Sequence, residues 1–276
     1  MGRVSNLPTV WSNCLAGWWL GGGGNQGKLP FLFLGVSALY LGGAFLNDAL
    51  DANYDRQFRT ERPIPSGGIS ESDVWRWSWA LLGFGLLCLL PFGITSVGLG
   101  LALILCIFLY NVVHKVVTIS PWLMGGCRFL LYPIAATAGA SGITGAAIWC
   151  GLALGAYTTG LNYFERCQNS RRQFPYWPTV LLVIPIFFAL VMNVGEYRQP
   201  ALLISVVLLL WAVRCLRNVF WTVSTNLRRV VAGLSAGIVF VDWLAIAPIC
   251  QLELGFLFLA LFGCTLLTQR FAPSAC

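Results

Sequence analysis

A chain of 276 residues with 58 % hydrophobic content, 10 % charged residues and a mean hydropathy of +0.76 is not a soluble globule. Ordinary soluble domains are about 25 % charged, so the long uncharged runs read as membrane-spanning helices. The formal charge of +7 then marks loops on the cytoplasmic side; no nucleic-acid motif or compact basic domain is present, so nucleic acid is not an expected partner.

The expected fold is all-α, a polytopic transmembrane bundle of nine or ten helices. In chain order the apolar segments run over 8–22, 29–49, 74–94, 96–113, 121–139, 143–163, 176–194, 198–215, 226–247 and 251–270. The first carries Pro8, Asn13 and Gly17 and lacks a cleavage site, so it reads as a first membrane helix rather than a removed signal. Gly21 to Gly24 lacks the Gly-Lys-Ser/Thr ending of a phosphate loop and reads as a flexible turn. The ten cysteines form no C-x-x-C pair and lie mostly in apolar runs, where Cys behaves as a small hydrophobe.

The second segment runs into Asn47-Asp48-Ala49-Leu50-Asp51-Ala52-Asn53-Tyr54-Asp55. The spacing i, i+3, i+7 places Asp48, Asp51 and Asp55 on one helical face. Three like charges there repel one another unless a cation sits between them. The expected cation is Mg²⁺, which favours carboxylate oxygens and shares phosphate oxygens. Arg59 and Arg62 follow at once, either as planar forks for a diphosphate or as anchors at the membrane face. Pro63 and Pro65 require the aspartate helix to end near Glu61. Ser66-Gly67-Gly68 then turns the chain back, as a lid over the site or as a plain connection.

Further along, the fourth segment ends in Tyr110, the single histidine His114 and Lys115. One histidine cannot build a zinc site; a helix-end hydrogen bond or a proton-accepting role remains for it. Arg128 stands several residues inside the fifth segment, where an ionisable group faces a cavity or partner unless it snorkels to the interface. The sixth segment ends in Asn162, Glu165 and Asn169, a faint echo of the aspartate spacing; it supports one domain over 1–276 with two pseudo-repeat halves, about 1–115 and 116–276. Glu165 is a candidate for a second metal or for taking the acceptor's proton, or it pairs with Arg166 or Arg128. Asp242, inside the ninth segment, is expected to pair with a cation across the bundle.

The loops after the even segments carry Arg56, Arg59, Arg62, Lys115, Arg166, Arg171, Arg172, Arg217 and Arg228, whereas the odd loops are nearly free of basic residues. The positive-inside bias puts the even loops, and with them the aspartates, on the cytoplasmic side.

The string Asn47–Asp55 resembles the first aspartate-rich signature, N-D-x-x-D-x-x-x-D, of the UbiA superfamily of intramembrane prenyltransferases. Arg62-Pro63-Ile64-Pro65-Ser66-Gly67 resembles its R-P-[LI]-P-S-G segment. Tyr110-Asn111-Val112-Val113-His114-Lys115 resembles its Y-x-x-x-K element, with one residue more between Tyr and Lys, and Met124-Gly125-Gly126-Cys127-Arg128 is similar to the M-G-x-C-R segment of the branch that includes EboC-like proteins. The resemblance implies an all-α bundle around a central cavity and transfer of a prenyl group from an isoprenoid diphosphate to a lipophilic, usually aromatic, acceptor that enters from membrane lipid. It implies that Asn47, Asp48, Asp51 and Asp55 bind metal and that Arg62 and Lys115 bind diphosphate. Asp48, Asp51, Asp55 and Glu165 are the candidate catalytic residues, and Asn47, Arg59, Tyr110, Arg128, Asn162 and Arg166 are further candidate substrate contacts. Where the family places aspartates in its second motif, this chain offers Asn162, Glu165 and Asn169. The departure leaves two alternatives, a terpene cyclase that needs no acceptor and a non-catalytic isoprenoid- or lipid-binding protein.

Overall fold

The structure is a computed structural model that describes residues 3–114, 117–168, 177–193, 195–220, 227–249 and 252–271. Among the described residues it contains eleven α-helices and no strand. They are α1 (Leu7–Leu20), α2 (Leu29–Leu50), α3 (Ala52–Phe58), α4 (Glu71–Leu89), α5 (Ile94–Val113), α6 (Ser120–Ala136), α7 (Gly145–Gln168), α8 (Pro178–Met192), α9 (Arg198–Phe220), α10 (Leu227–Ala245) and α11 (Leu252–Phe271). Ten coincide with the apolar segments. The additional one, α3, is the short helix that carries Asp55.

Five helical stretches are long and apolar enough to cross a membrane, namely Gln26–Leu50, Glu71–Phe92, Ile94–Val113, Arg198–Arg217 and Glu253–Phe271. Of these, the helices α4, α9 and α11 stand at the outside of the bundle and present apolar side chains such as Phe84, Leu203, Leu210 and Phe256 outward. A side chain facing lipid needs no partner, so uniform apolarity is tolerated there. The inner helices α1, α6, α7 and α10 carry the buried polar residues of the interior, among them Thr9, Asn13, Thr158 and Asp242. Two apolar clusters fill the bundle, one around Leu39, Leu82 and Ile134, the other around Tyr157, Leu208 and Phe240.

Small residues set how closely the inner helices cross. A Cβ on Gly17 would come within 2.7 Å of the Tyr132 carbonyl oxygen and 2.8 Å of Ala135 Cβ, so α1 and α6 meet backbone to backbone. Helices in lipid associate through such close packing, because burial from water contributes little between them. The turn over Gly22–Gly24 has positive φ at each glycine, and Gly23 O accepts from Ala140 N at 2.8 Å. The turn expected to be flexible is therefore tied to the connection between α6 and α7.

Candidate active site

The aspartate helix bends without breaking. Asp51 caps the end of α2 and the start of α3, yet Asp51 N bonds to Asn47 O at 2.9 Å and Asp55 N to Asp51 O at 2.8 Å. The i→i−4 ladder thus runs through the junction and keeps Asp48, Asp51 and Asp55 on one face. Asp51 and Asp55 are buried, and Asp48 is half-buried. The helix ends at Phe58, three residues before the expected Glu61, because Arg59 already adopts an extended φ of −144°.

Beyond it the chain turns back through Ser66 N to Arg62 O at 2.9 Å and Ile69 N to Pro63 O at 3.2 Å. That turn returns Arg62 to the acidic face, where Nη1 lies 2.8 Å from Asp55 Oδ2 and 3.9 Å from Asp48 Oδ1. The cation that like-charge repulsion demands is, in this structure, a guanidinium of the same chain. Arg59 makes no side-chain hydrogen bond or ion pair with the described residues. Arg56 instead leaves the site for Glu71 at 2.6 Å.

Whether these residues suit Mg²⁺ is decided by one carboxylate oxygen. Asp55 Oδ1 is buried and has no hydrogen-bond partner among the described residues. A buried carboxylate oxygen left unpaired is costly, and it is a hard donor of the kind Mg²⁺ takes. Among the described residues no three His, Cys, Asp or Glu side chains converge on one point. Mg²⁺ does not require that, since it binds through one or two carboxylates while keeping water and substrate phosphate as its other ligands. The residues therefore fit the ion, and Asp48, Asp51 and Asp55 would hold it.

Beside this face a cavity of about 140 Å³ lies between α1, α2, α5, α6, α7 and α10. One water needs roughly 10–15 Å³ on the same measure, so the space suits a ligand. Most of the wall is apolar, with Val36, Leu103, Ile107, Leu131, Leu161 and Ile238. Two links join it to the acidic face. Asn47 Nδ2 donates to Asn111 Oδ1 at 3.0 Å, and Asn111 lines the cavity. His114 stacks on the cavity residue Tyr110 at 5.3 Å, while its Nε2 lies 3.8 Å from Asp51 Oδ2. His114 Nδ1 lies 2.9 Å from Asn111 O, the helix-end bond expected of it; a carbonyl only accepts, so Nδ1 carries the proton.

On the opposite side of the cavity, α7 delivers Asn162 and Glu165 to the wall. Asn162 Nδ2 is occupied by Thr158 O at 2.8 Å. Arg166 turns away from the cavity and donates to Val117 O at 2.7 Å and Ser120 Oγ at 3.0 Å, which ties the end of α7 to the start of α6. Lys115, Asn169, Arg171 and Arg172 lie outside the described residues.

Arg128 also lines the cavity. Its Nη1 donates to Asn13 Oδ1 at 2.7 Å and its Nη2 to Thr9 Oγ1 at 3.1 Å. Among the described residues Asp242 does not pair directly with a cation, contrary to expectation. Asn13 Nδ2 donates to both its oxygens, at 2.8 and 2.7 Å, Tyr132 Oη donates at 2.8 Å, and Ser12 Oγ donates to Oδ2. Sequence reasoning passed over Thr9, Ser12, Asn13 and Tyr132, which carry this network, and Asn111. The available signal was polarity inside apolar runs, plain for Asn13 and Asn111.

Comparisons with known proteins agree with this geometry. The UbiA prenyltransferase family matches residues 6–225. Digeranylgeranylglyceryl phosphate synthase of Sulfolobus acidocaldarius is 37 % identical over 83 residues, which is 30 % of this chain and 29 % of that protein's length. A solved structure from work on digeranylgeranylglyceryl phosphate synthase in membranes superposes with a TM-score of 0.63 at 18 % identity, over 95 % of both chains. The apo structure of a UbiA homologue from Aeropyrum pernix K1 gives 0.57 at 13 % identity, over 98 % of this chain and 99 % of that one. These last two speak for the fold alone, an integral multi-pass membrane bundle. With a family match that spans most of its length, and with that fold met from end to end, the chain belongs to the UbiA prenyltransferase family.

Proposed function

We propose that this protein transfers a prenyl group from an isoprenoid diphosphate to a lipophilic acceptor, with Mg²⁺ at the acidic face. The observation that carries the reading is the junction of two unlike environments. An apolar cavity able to hold a prenyl chain is joined to the acidic face by Asn111, which accepts from Asn47, and by Tyr110, which stacks on His114 beside Asp51. A prenyl diphosphate has the same two halves.

In the reaction the allylic carbon–oxygen bond breaks and the diphosphate leaves with the bonding electrons. The carbon forms a new bond to the acceptor's oxygen or carbon, and the acceptor gives up a proton. When bound, Mg²⁺ neutralises negative charge that builds on the leaving diphosphate. Asp48, Asp51 and Asp55 hold that charge balance in place. Arg62, released from Asp55, offers a planar fork to the phosphate oxygens, and Arg59, three residues before it in the chain, supplies a second. The apolar wall excludes water, which strengthens these contacts and protects the cationic carbon. Glu165, which lines the cavity, takes the acceptor's proton. The acidic face and its loop lie on the cytoplasmic side by the distribution of basic residues.

The test is Mg²⁺-dependent diphosphate release from labelled prenyl diphosphates by protein in native-lipid nanodiscs, with Asp51→Asn beside it. Release that the substitution abolishes and that needs a lipid extract supports transfer. Release without an extract turns the reading to cyclisation. Absence of release from folded, donor-binding protein leaves a lipid-binding protein.

A further inference from the structure

An asparagine beside carboxylates has a choice that an aspartate lacks. Its amide can turn the NH₂ to the acids and pair with them, or turn the oxygen and leave them to a cation. Asn47 stands at such a place: it precedes Asp48 and lies one turn before Asp51. Pairing with the acids would be the resting preference of such an amide, because a charged acceptor makes the stronger bond. It would also set two N–H groups where a metal must come.

The packing of α5 on α2 prevents this. Gly43 lets the two helices close, since a Cβ there would meet Ile107 Cγ2 at 2.9 Å. One turn further along both helices, Asn111 Nδ2 donates to Gly43 O at 3.4 Å, and Asn111 Oδ1 accepts from Asn47 Nδ2 at 3.0 Å. Both asparagines are buried. The relay starts on a backbone carbonyl, which only accepts, so the polarity of both amides follows from it. Turned over, Asn111 would set oxygen against oxygen at Gly43 and would draw the Asn47 oxygen towards its own NH₂. A clasp between two helices needs only the bond between the two amides and works in either polarity. The added bond to Gly43 selects one.

We propose that Asn111 is a positioning residue of the acidic site. Anchored on Gly43 O, it holds the Asn47 NH₂ on the α5 side and leaves the Asn47 oxygen as a neutral donor for the cation or for the cation's water. The proposal rests on the reading that Mg²⁺ occupies the acidic face. Asn111 acts through Asn47 and not on the metal itself.

The test uses full-length protein in nanodiscs and Mn²⁺ alone as the probe, followed by the loss of the free ion's electron paramagnetic resonance. Native protein is expected to bind Mn²⁺ and Asp51→Asn to bind it poorly. Asn111→Leu, which keeps the volume and removes both bonds, is expected to weaken binding by roughly 10-fold, the lower end of the range for residues that orient a metal ligand. Asn47→Ala is expected to lose as much, and the double variant no more than either, because both substitutions remove the same oxygen. In turnover, Asn111→Leu is expected to need more Mg²⁺ for half-maximal rate while the donor's KM stays near the native value. Native Mn²⁺ affinity in folded Asn111→Leu, or single losses that multiply in the double variant, overturns the proposal and leaves the metal reading standing. A second arm needs no Asn111 variant. In native protein carrying Cγ-labelled asparagine, Mg²⁺ is expected to move the Asn47 nuclear magnetic resonance, identified by its absence from Asn47→Ala. A resonance that does not move while the metal binds also overturns the proposal. Native protein that binds no Mn²⁺ overturns the metal reading and the proposal with it.

Discussion

Arg62 and Arg128 are both cations set among partly buried polar groups, yet the fold treats their charges in opposite ways. Arg62 lies directly on a buried carboxylate, 2.8 Å from Asp55, at a loop that turns back over the end of a helix. Arg128 lies inside the bundle and is kept one amide away from Asp242. The difference follows from access to solvent and to mobile ions. At the loop, a direct pair can be exchanged for a metal and a diphosphate arriving from water. In the bundle, a direct pair would be hard to part, and Asn13 stands between the two charges as a neutral relay.

The comparison breaks most sharply at the acidic face. Asp51→Asn is expected to lower Mg²⁺-dependent diphosphate release by roughly 10²–10³-fold, the scale of losing one contact to transition-state charge. A rate within a few-fold of the native one would remove Asp51 from the site. Arg62→Ala should separate its two duties. Turnover is expected to fall about 10²-fold, while the Mg²⁺ concentration for half-maximal rate drops, because the guanidinium no longer competes for Asp55. An unchanged Mg²⁺ requirement would deny that competition.

Inside the bundle the expected loss is one of stability. Asp242→Ala leaves the donors of Ser12, Asn13 and Tyr132 without their acceptor and is expected to cost about 2 kcal/mol, whereas Asp242→Asn, which keeps one acceptor oxygen, costs about half. Reversible denaturation in mixed micelles measures both. Gly17→Ala pushes α1 from α6 and so strains the Arg128–Asn13 contact; about 1–2 kcal/mol is expected in the same assay. Arg56→Ala, which removes the exposed pair with Glu71, is the control and should shift stability by less than about 1 kcal/mol.

Legibility differed between these regions for a physical reason. Asp48, Asp51 and Asp55 were readable because their grouping follows from helical periodicity within one short stretch. Arg62 was readable as a nearby cation, but its seat on Asp55 depends on the turn through Ser66 and Ile69. His114 was readable as a helix-end hydrogen bonder, whereas its approach to Asp51 joins α5 to α2. Arg166 shows the opposite outcome: it stands next to Glu165 in sequence, yet it faces Val117 and Ser120 while Glu165 lines the cavity. Adjacent residues on a helix point about 100° apart, and only the packing of α6 on α7 says which direction is inward.

The sequence by itself determined the membrane bundle, its helices in order and the acidic face, because apolar length, spacing and charge bias are local properties of the chain. Tertiary structure decided which helices enclose the cavity, and which polar side chains reach it. It also decided that Asp242 is held by Ser12, Asn13 and Tyr132 rather than by Arg128. Those contacts join residues up to 230 positions apart, and a hydrogen bond across that distance is fixed by helix packing, which no local pattern encodes.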